Sequence, residues 1–162
     1  IAMVFQNYAL YPHMTVRENM GFGLKVFGSN AADIDKKVRA AADILQLTPL
    51  LDRLPKALSG GQRQLISIAR MMLRNPQLVF MDEPTSNMDQ NTEGRVIAVL
   101  KDWLQGRTLL MSTHRPQLLD WADLIAVIDN GQCVALGPKK EMIDKLSRGI
   151  DVNVSRSQGV SA

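Results

Sequence analysis

The run QLVFMDEP, residues 77–84, is the feature that most limits what this chain can fold into. Four apolar residues in succession precede the acids Asp82 and Glu83. A strand with one face in water alternates apolar and polar residues, so a continuous apolar run predicts a strand buried on both faces, as in parallel sheets. The runs IAMVFQ (1–6) and RTLLMSTH (107–114) have the same character. We therefore expect a mostly parallel sheet with helices on both faces.

Between IAMVFQ and QLVFMDEP, the apolar residues recur at the spacing of helices. Thr15, followed three residues later by Glu18, predicts a capping box that opens a short helix ending near Gly21 or Gly23. Residues 31–47 repeat apolar side chains at helical spacing and predict an amphipathic helix.

A third helix is predicted from Gln62 to Leu73, because its apolar residues recur at helical spacing until Asn75-Pro76 stops the pattern. Asn130-Gly131, between two apolar runs, predicts a β-hairpin. The remaining predictions are helices over 90–105, 116–122 and 138–147, with the hairpin covering 124–137.

The predicted fold class is therefore α/β, with an incomplete, mostly parallel sheet core and an inserted all-helical subdomain. Residues 1–6 form a core strand and residues 7–75 the helical subdomain. Residues 76–150 complete the α/β core. The polar tail, 151–162, is expected to be disordered.

Composition excludes several other classes. The formal charge is +3, with acidic and basic residues interspersed, which we interpret as a solvated surface. Cys133 is the only cysteine, so the sequence has neither a disulfide framework nor a cysteine metal site. No apolar run approaches the roughly 20 residues that span a bilayer. Because the chain opens on the strand-like IAMVF rather than on Met, we expect it to begin inside a larger protein.

Polar side chains end each predicted strand: Gln6, then Asp82-Glu83, then His114. Ligands of open parallel sheets bind beyond the carboxyl ends of the strands. Asp82 is suited to hold Mg²⁺ with its waters, and Glu83 to polarise a water for attack on a phosphoryl group. The alternative is that Asp82 caps a turn, Glu83 is solvated and His114 is an ordinary turn residue.

The segment KALSGGQRQ, residues 56–64, opens a predicted helix with a serine and two glycines. The backbone N–H groups of Ser59, Gly60 and Gly61 are unobstructed by large side chains, and the positive end of the helix dipole points outward. This is an anion site by its chemistry, although a plain N-cap followed by a glycine turn has the same sequence.

In combination and in this order, the motifs resemble the nucleotide-binding domain of ATP-binding cassette (ABC) proteins, a P-loop NTPase-like fold. LSGGQ matches the family signature, and SNMD resembles the D-loop with Met88 where leucine is usual. The other landmarks are FQNYALYPHMTVRENM at the Q-loop, LVFMDEPT at the Walker B strand and STH at the switch histidine.

The resemblance implies a role for each site residue. Glu83 and His114 are expected to be catalytic, with His114 contacting the γ-phosphate of ATP. Asp82 and Gln6 are expected to contact Mg²⁺. The residues expected to contact nucleotide are Ser59, Gly60, Gly61, Gln62 and Asp89.

The resemblance also implies partners. In the family, ATP lies between the P-loop of one domain and the signature of a second, head-to-tail domain. The helical subdomain meets a transmembrane permease at the cytoplasmic face of the bacterial inner membrane. The motif G-x-x-x-x-G-K-[ST] does not occur in this sequence. In the family it precedes the Q-loop, so we expect this chain to lack that region and to be inactive by itself.

Two parts of the chain resemble different branches of the family. Residues 1 to about 63 are similar to maltose-type sugar importer ATPases, whereas residues from about 66 onward are closer to type I secretion and other exporter ATPases. We interpret the sequence as a possible mosaic.

Two alternatives to a transporter ATPase remain. ABC-type ATPases of DNA repair and chromosome maintenance carry a long coiled coil between Q-loop and signature, but Gln6 and Ser59 are only 53 positions apart. We therefore expect no nucleic-acid partner. The second alternative is a non-catalytic fragment that binds a partner protein.

Overall fold

A computed structural model describes residues 1–4 and 9–147. The predicted metal contact Gln6 and the predicted tail, 151–162, lie outside the described residues. The elements in chain order are β1 (Ala2–Val4), α1 (Val16–Val26), α2 (Ala31–Ile44), α3 (Gly60–Arg74), β2 (Leu78–Asp82), α4 (Gln90–Trp103), β3 (Thr108–Ser112), α5 (Pro116–Leu119), β4 (Leu124–Asp129), β5 (Gln132–Pro138) and α6 (Lys139–Ser147). They form two compact units, one spanning Ile1–His114 and one beginning at Arg115.

The first unit contains a three-stranded parallel sheet in the order β1-β2-β3, as predicted. Val4 of β1 pairs with Met81 of β2, and Asp82 pairs with Ser112 of β3. Because the strands are parallel, their carboxyl ends lie at one edge of the sheet. The predicted site residues Asp82 and Glu83 stand at this edge.

The two faces of the sheet are not equally covered. Val79 and Met81 are buried, whereas Phe80 is half-buried and Leu110 is 60% exposed. Within the first unit, the prediction that both faces are covered is therefore wrong. The strand sequence places apolar side chains on both faces, but no described element of this unit fully buries the second one.

Helix α1 begins as predicted. The Thr15 hydroxyl accepts a hydrogen bond from the Glu18 N–H at 3.2 Å, and the Glu18 carboxylate accepts one from the Thr15 N–H at 2.7 Å. The predicted end near Gly21 or Gly23 is wrong, because the helix continues to Val26.

Gly21 serves close packing between helices rather than helix termination. A Cβ at this position would lie 2.8 Å from Cγ2 of Ile34 and 3.5 Å from Cγ2 of Val38, both on α2. Helices α1 and α2 also pack against α3. The glycine therefore permits the approach of α2 within a three-helix group.

Helix α3 ends at Asn75, whose φ of 48° is left-handed, and Pro76 follows, as predicted. The middle of α3 is buried on most sides and forms much of the core, with Leu65, Ile66, Ile68, Ala69 and Met71 buried.

The second unit contains the predicted hairpin. Strands β4 and β5 pair antiparallel, and Asn130 and Gly131 both have positive φ, at 46° and 76°. This conformation is the reason that Asn-Gly is favoured in two-residue hairpin loops. Helix α6 packs against both strands. Within the described part of the chain, we find no helix with the length and apolar character needed to cross a membrane.

We predict that Gly21→Ala lowers the free energy of unfolding by about 1 kcal/mol, because overpacking against Ile34 outweighs the gain in helix propensity. The control is Gly94→Ala in α4, where nothing lies within 4 Å of an added Cβ and a gain of about 1 kcal/mol is expected. Chemical denaturation measures both.

Adding Ile34→Leu to Gly21→Ala removes the clashing Cγ2 and should restore most of the stability. If Gly21→Ala stabilises the protein as much as Gly94→Ala does, the close approach of α2 is not the reason for this glycine.

Candidate functional site

The carboxyl ends of β2 and β3 bring the predicted catalytic residues together. The Ser112 hydroxyl donates a hydrogen bond to Oδ1 of Asp82 at 2.5 Å, across the in-register pair of strands. The Glu83 N–H donates to the Ser112 carbonyl at 3.0 Å. Asp82 and Glu83 are thereby fixed to the strand that leads to His114.

Glu83 and His114 are in direct contact. Oε1 of Glu83 accepts a hydrogen bond from the His114 N–H at 3.0 Å and lies 2.8 Å from Nδ1 of the imidazole. The Glu83 side chain is 18% exposed and that of His114 is 76% exposed. Glu83 also has a positive φ of 45°, which is uncommon for a residue with a side chain. The local backbone therefore directs a partly buried carboxylate towards an exposed imidazole.

The second oxygen of this carboxylate, Oε2, is buried and has no hydrogen-bond partner among the described residues. Buried polar atoms in proteins are nearly always paired with protein or water. A carboxylate with one oxygen fixed and the other buried and unpaired is suited to receive a hydrogen bond from a water and to take its proton.

The Ser-Gly-Gly segment forms the N-terminus of α3 through a capping box. The Ser59 hydroxyl accepts from the Gln62 N–H at 3.2 Å, and Oε1 of Gln62 accepts from the Ser59 N–H at 3.0 Å. Ser59 is thus the N-cap that the plainer interpretation expects. Its hydroxyl still has a hydrogen to donate and the residue is exposed, so the cap and an anion contact are compatible.

Gly61 lies against the loop that follows Glu83. A Cβ on Gly61 would stand 2.7 Å from the carbonyl oxygen of Asn87. This contact is within one chain, so it gives the glycine a packing role independent of any nucleotide.

Asp89 caps α4 at the far end of the same loop. Its carboxylate accepts from the Thr92 hydroxyl at 2.7 Å and the Thr92 N–H at 3.0 Å. These hydrogen bonds hold the pKa of Asp89 below its ordinary value. Asp89 is exposed, and a nucleotide contact by its side chain stays a prediction.

The sequence did not single out three residues that the structure places at this site. Ser112 holds Asp82, while Gln64 and Asn87 join α3 to the loop after Glu83. Gln64 has a recognisable signal, because it precedes the buried Ile68 and Met71 by four and seven positions and so belongs to the buried face of α3.

A groove of about 330 Å³ lies on the helical part of the first unit. Arg70 of α3 lies 5.4 Å from the centroid of the Tyr11 ring and donates to the Ala9 carbonyl at 2.7 Å; its burial lowers its pKa. Arg74 lies 5.1 Å from the Phe27 ring, which is itself 70% exposed. The groove therefore combines exposed apolar surface with two cations held over aromatic rings.

The fold of this chain is similar to that of two solved ATP-binding cassettes. A solved cassette in a dimeric post-hydrolysis state bound to ADP and Pi has a TM-score of 0.79 and 26% identity to this chain. The match covers 85% of this chain and 62% of that one. A second dimeric structure, of a bacterial ABC transporter cassette, has a TM-score of 0.78.

Residues 1–86 match the family described as ABC transporter, and the chain belongs to that family. It is 47% identical over 149 residues to the alpha-glucoside transport ATP-binding protein of Rhizobium meliloti (strain 1021), which covers 90% of this chain and 41% of that protein. It is 43% identical over 148 residues to an sn-glycerol-3-phosphate import ATP-binding protein of Ruegeria sp. (strain TM1040), covering 90% of this chain and 42% of that protein.

The chain spans about two fifths of the length of the curated relatives it matches. Similarity to the glycerol-3-phosphate import protein extends over 90% of the chain, so similarity to an import ATPase is not confined to residues 1 to about 63. The predicted exporter-like character of the later residues stays a prediction.

The family implies ATP binding, with Mg²⁺ typical. Among residues 1–4 and 9–147, no group of three or more His, Cys, Asp or Glu side chains could hold a metal by itself. Mg²⁺ on a phosphate substrate commonly takes only one or two carboxylates, with phosphates and waters completing its shell. Asp82 at the strand end fits that requirement, and the buried Oε2 of Glu83 fits a water beside it.

We predict that Gly61→Ala lowers the free energy of unfolding by about 1 to 3 kcal/mol, because the new Cβ meets a backbone oxygen of Asn87 that cannot rotate away. The matched control is Gly23→Ala in α1, whose Cβ would make an ordinary 3.5 Å contact with Arg74. Equal stability of the two variants in thermal unfolding would contradict the close contact at Asn87.

Proposed function

We propose that these residues belong to the ATPase subunit or domain of an ABC transporter that couples ATP hydrolysis to uptake of a carbohydrate or a similar polar solute. The observation that carries the proposal is the paired geometry of Glu83 and His114 beyond the ends of the parallel strands. The transport names of the relatives support the solute class.

Glu83 acts as the general base. Its Oε1 is held by the backbone N–H of His114, so Oε2 is the oxygen that accepts a proton from water. The exposed His114 imidazole donates to the transferred phosphoryl group, and its contact with Glu83 orients it for that purpose. Asp82, oriented by Ser112, would hold Mg²⁺, which would neutralise charge on the phosphates. ATP, when bound, supplies the phosphoryl group that water attacks.

The N-terminus of α3 serves a nucleotide held by a second copy of the domain. Ser59 is exposed and caps a helix of fifteen residues, whose dipole favours an anion at this end. The contact residues proposed there are Ser59, Gly60, Gly61 and Gln62, with Asp89 at the interface. The dimeric state of the similar cassettes supports a head-to-tail pair.

The groove at Tyr11, Phe27 and Arg70 is the docking surface for a transmembrane permease domain or subunit. Its exposed aromatic surface and its cations suit an amphipathic helix from such a partner. This assignment places the protein at the cytoplasmic face of the inner membrane.

Glu83→Gln in the full-length subunit should reduce steady-state ATP hydrolysis by about 100- to 10,000-fold, because the amide cannot accept the proton from water. ATP binding should be retained, since the amide has nearly the same shape. Asp102→Asn, an exposed change on α4, controls for loss of one carboxylate. Normal turnover in Glu83→Gln would remove Glu83 from the catalytic role.

In the full-length subunit, Ser59→Arg should prevent ATP-dependent dimer closure while leaving ATP binding to the same chain intact, because the bulky cation occupies the surface that receives the partner's nucleotide. Size-exclusion chromatography with ATP and an equilibrium binding titration separate the two effects. Gln105→Arg adds the same charge after α4 and should leave closure unchanged. Loss of both binding and closure in Ser59→Arg would contradict a contact in trans.

A further inference from the structure

Gln64 is a polar side chain with no exposed surface, in the second turn of α3. Its Nε2 donates a hydrogen bond to the Glu83 carbonyl at 2.7 Å, and its Oε1 accepts one from the Asn87 N–H at 3.2 Å. Both ends of one buried amide therefore hold the backbone of the loop that follows β2.

The loop depends on these contacts because its backbone begins in an unfavourable conformation. Glu83 has a φ of 45°, and non-glycine residues adopt this region only where the surroundings impose it. The Glu83 carbonyl also accepts from the Ser86 N–H at 3.3 Å and the Ser86 hydroxyl at 3.1 Å. These two bonds lie within the loop, whereas Gln64, which also donates to the Ser86 hydroxyl at 3.5 Å, connects the loop to a separate element.

That element is α3, which begins in the LSGGQ signature and is called the signature helix from here on. Gly61, three residues before Gln64, also packs against Asn87. Helix and loop are therefore in contact at two positions about one helical turn apart. A shift of α3 moves the amide that holds the Glu83 backbone, and hence the carboxylate attached to it.

We propose that Gln64 is a positioning residue for catalysis: its side-chain amide fixes the backbone of Glu83 and makes the placement of the Glu83 carboxylate depend on the signature helix. This inference rests on the proposed function, in which Glu83 is the base. Gln64 is fully buried, so it acts through Glu83 rather than on the substrate directly.

The test is steady-state ATP hydrolysis by the full-length subunit carrying Gln64→Met, which keeps the side-chain volume and removes the amide's hydrogen bonds to Glu83, Ser86 and Asn87. We expect kcat to fall roughly 10- to 100-fold, because misplacement of a catalytic group by about 1 Å costs up to about 100-fold. The KM for ATP should stay within about twofold, since a base that acts in the chemical step does not bind the ground state.

Ile68→Val is the matched control. It lies four positions further along the same helix, is fully buried and has no part in the site, so it reduces packing alone. Its kcat should be unchanged at a temperature where it is folded. A second variant, Gln64→Asn, keeps a buried amide that is one methylene too short to reach both loop atoms, and it should lose kcat as Gln64→Met does.

Several outcomes would overturn the inference: an unchanged kcat in Gln64→Met or Gln64→Asn, a change in KM alone, or an equal loss of kcat in Ile68→Val. Failure of both Gln64 variants to fold, with Ile68→Val folded, would show a purely structural role and also overturn it. Glu83→Gln in the same assay separates the two claims. Normal turnover there defeats the proposed function, whereas an inactive Glu83→Gln beside normal Gln64 variants defeats the inference alone.

Discussion

The parallel pairing of β2 with β3 is the constraint on which the site depends. It places Asp82 opposite Ser112 and lets the backbone of Glu83 continue the hydrogen bonding beyond the last pair of the ladder. His114 follows two residues after β3, and its N–H reaches Oε1 of Glu83 because both strands end at the same edge. A register shift by one residue would turn the side chains of one strand, Asp82 or Ser112 among them, to the opposite face of the sheet. The relative placement of the residues proposed to be catalytic is therefore a direct consequence of strand register.

The second level of organisation is the link between that edge and the signature helix. Gly61 and Gln64 hold the loop after Glu83 through a close backbone approach and a buried amide. These contacts belong to a single chain, whereas the exposed Ser59 faces outward at the start of the same helix. One helix thus combines an internal role, through its buried residues, with an exposed N-terminus that we propose contacts a nucleotide held by a partner.

Much of this fold follows from the sequence, because its local signals are strong. The apolar runs predicted the parallel strands, Thr15 with Glu18 predicted a capping box, and Asn130-Gly131 predicted the hairpin loop. The end of α1 was mispredicted because a glycine within a helix can mark either termination or close packing. The position of α2 decides between termination and close packing, and the residues next to Gly21 do not determine that position.

The site was predictable to the extent that it lies in contiguous motifs. Asp82, Glu83 and His114 could be grouped because strand ends meet, but the hydrogen bonds that orient them depend on register and backbone conformation. Gln64 was missed because its partners, Glu83 and Asn87, are nineteen and twenty-three positions away. The helical pattern of the sequence identifies a polar residue as buried, whereas its hydrogen-bond partners are known only from the three-dimensional structure.

The most direct measurement is a high-resolution structure of the full-length protein with Mg²⁺ and a non-hydrolysable ATP analogue. Our account predicts an ordered water within hydrogen-bond distance of Oε2 of Glu83 and in line with the terminal phosphate, while Oε1 keeps its bond from the His114 N–H. A carboxylate turned away from the phosphate, or an attacking water held by a different residue, would contradict the account.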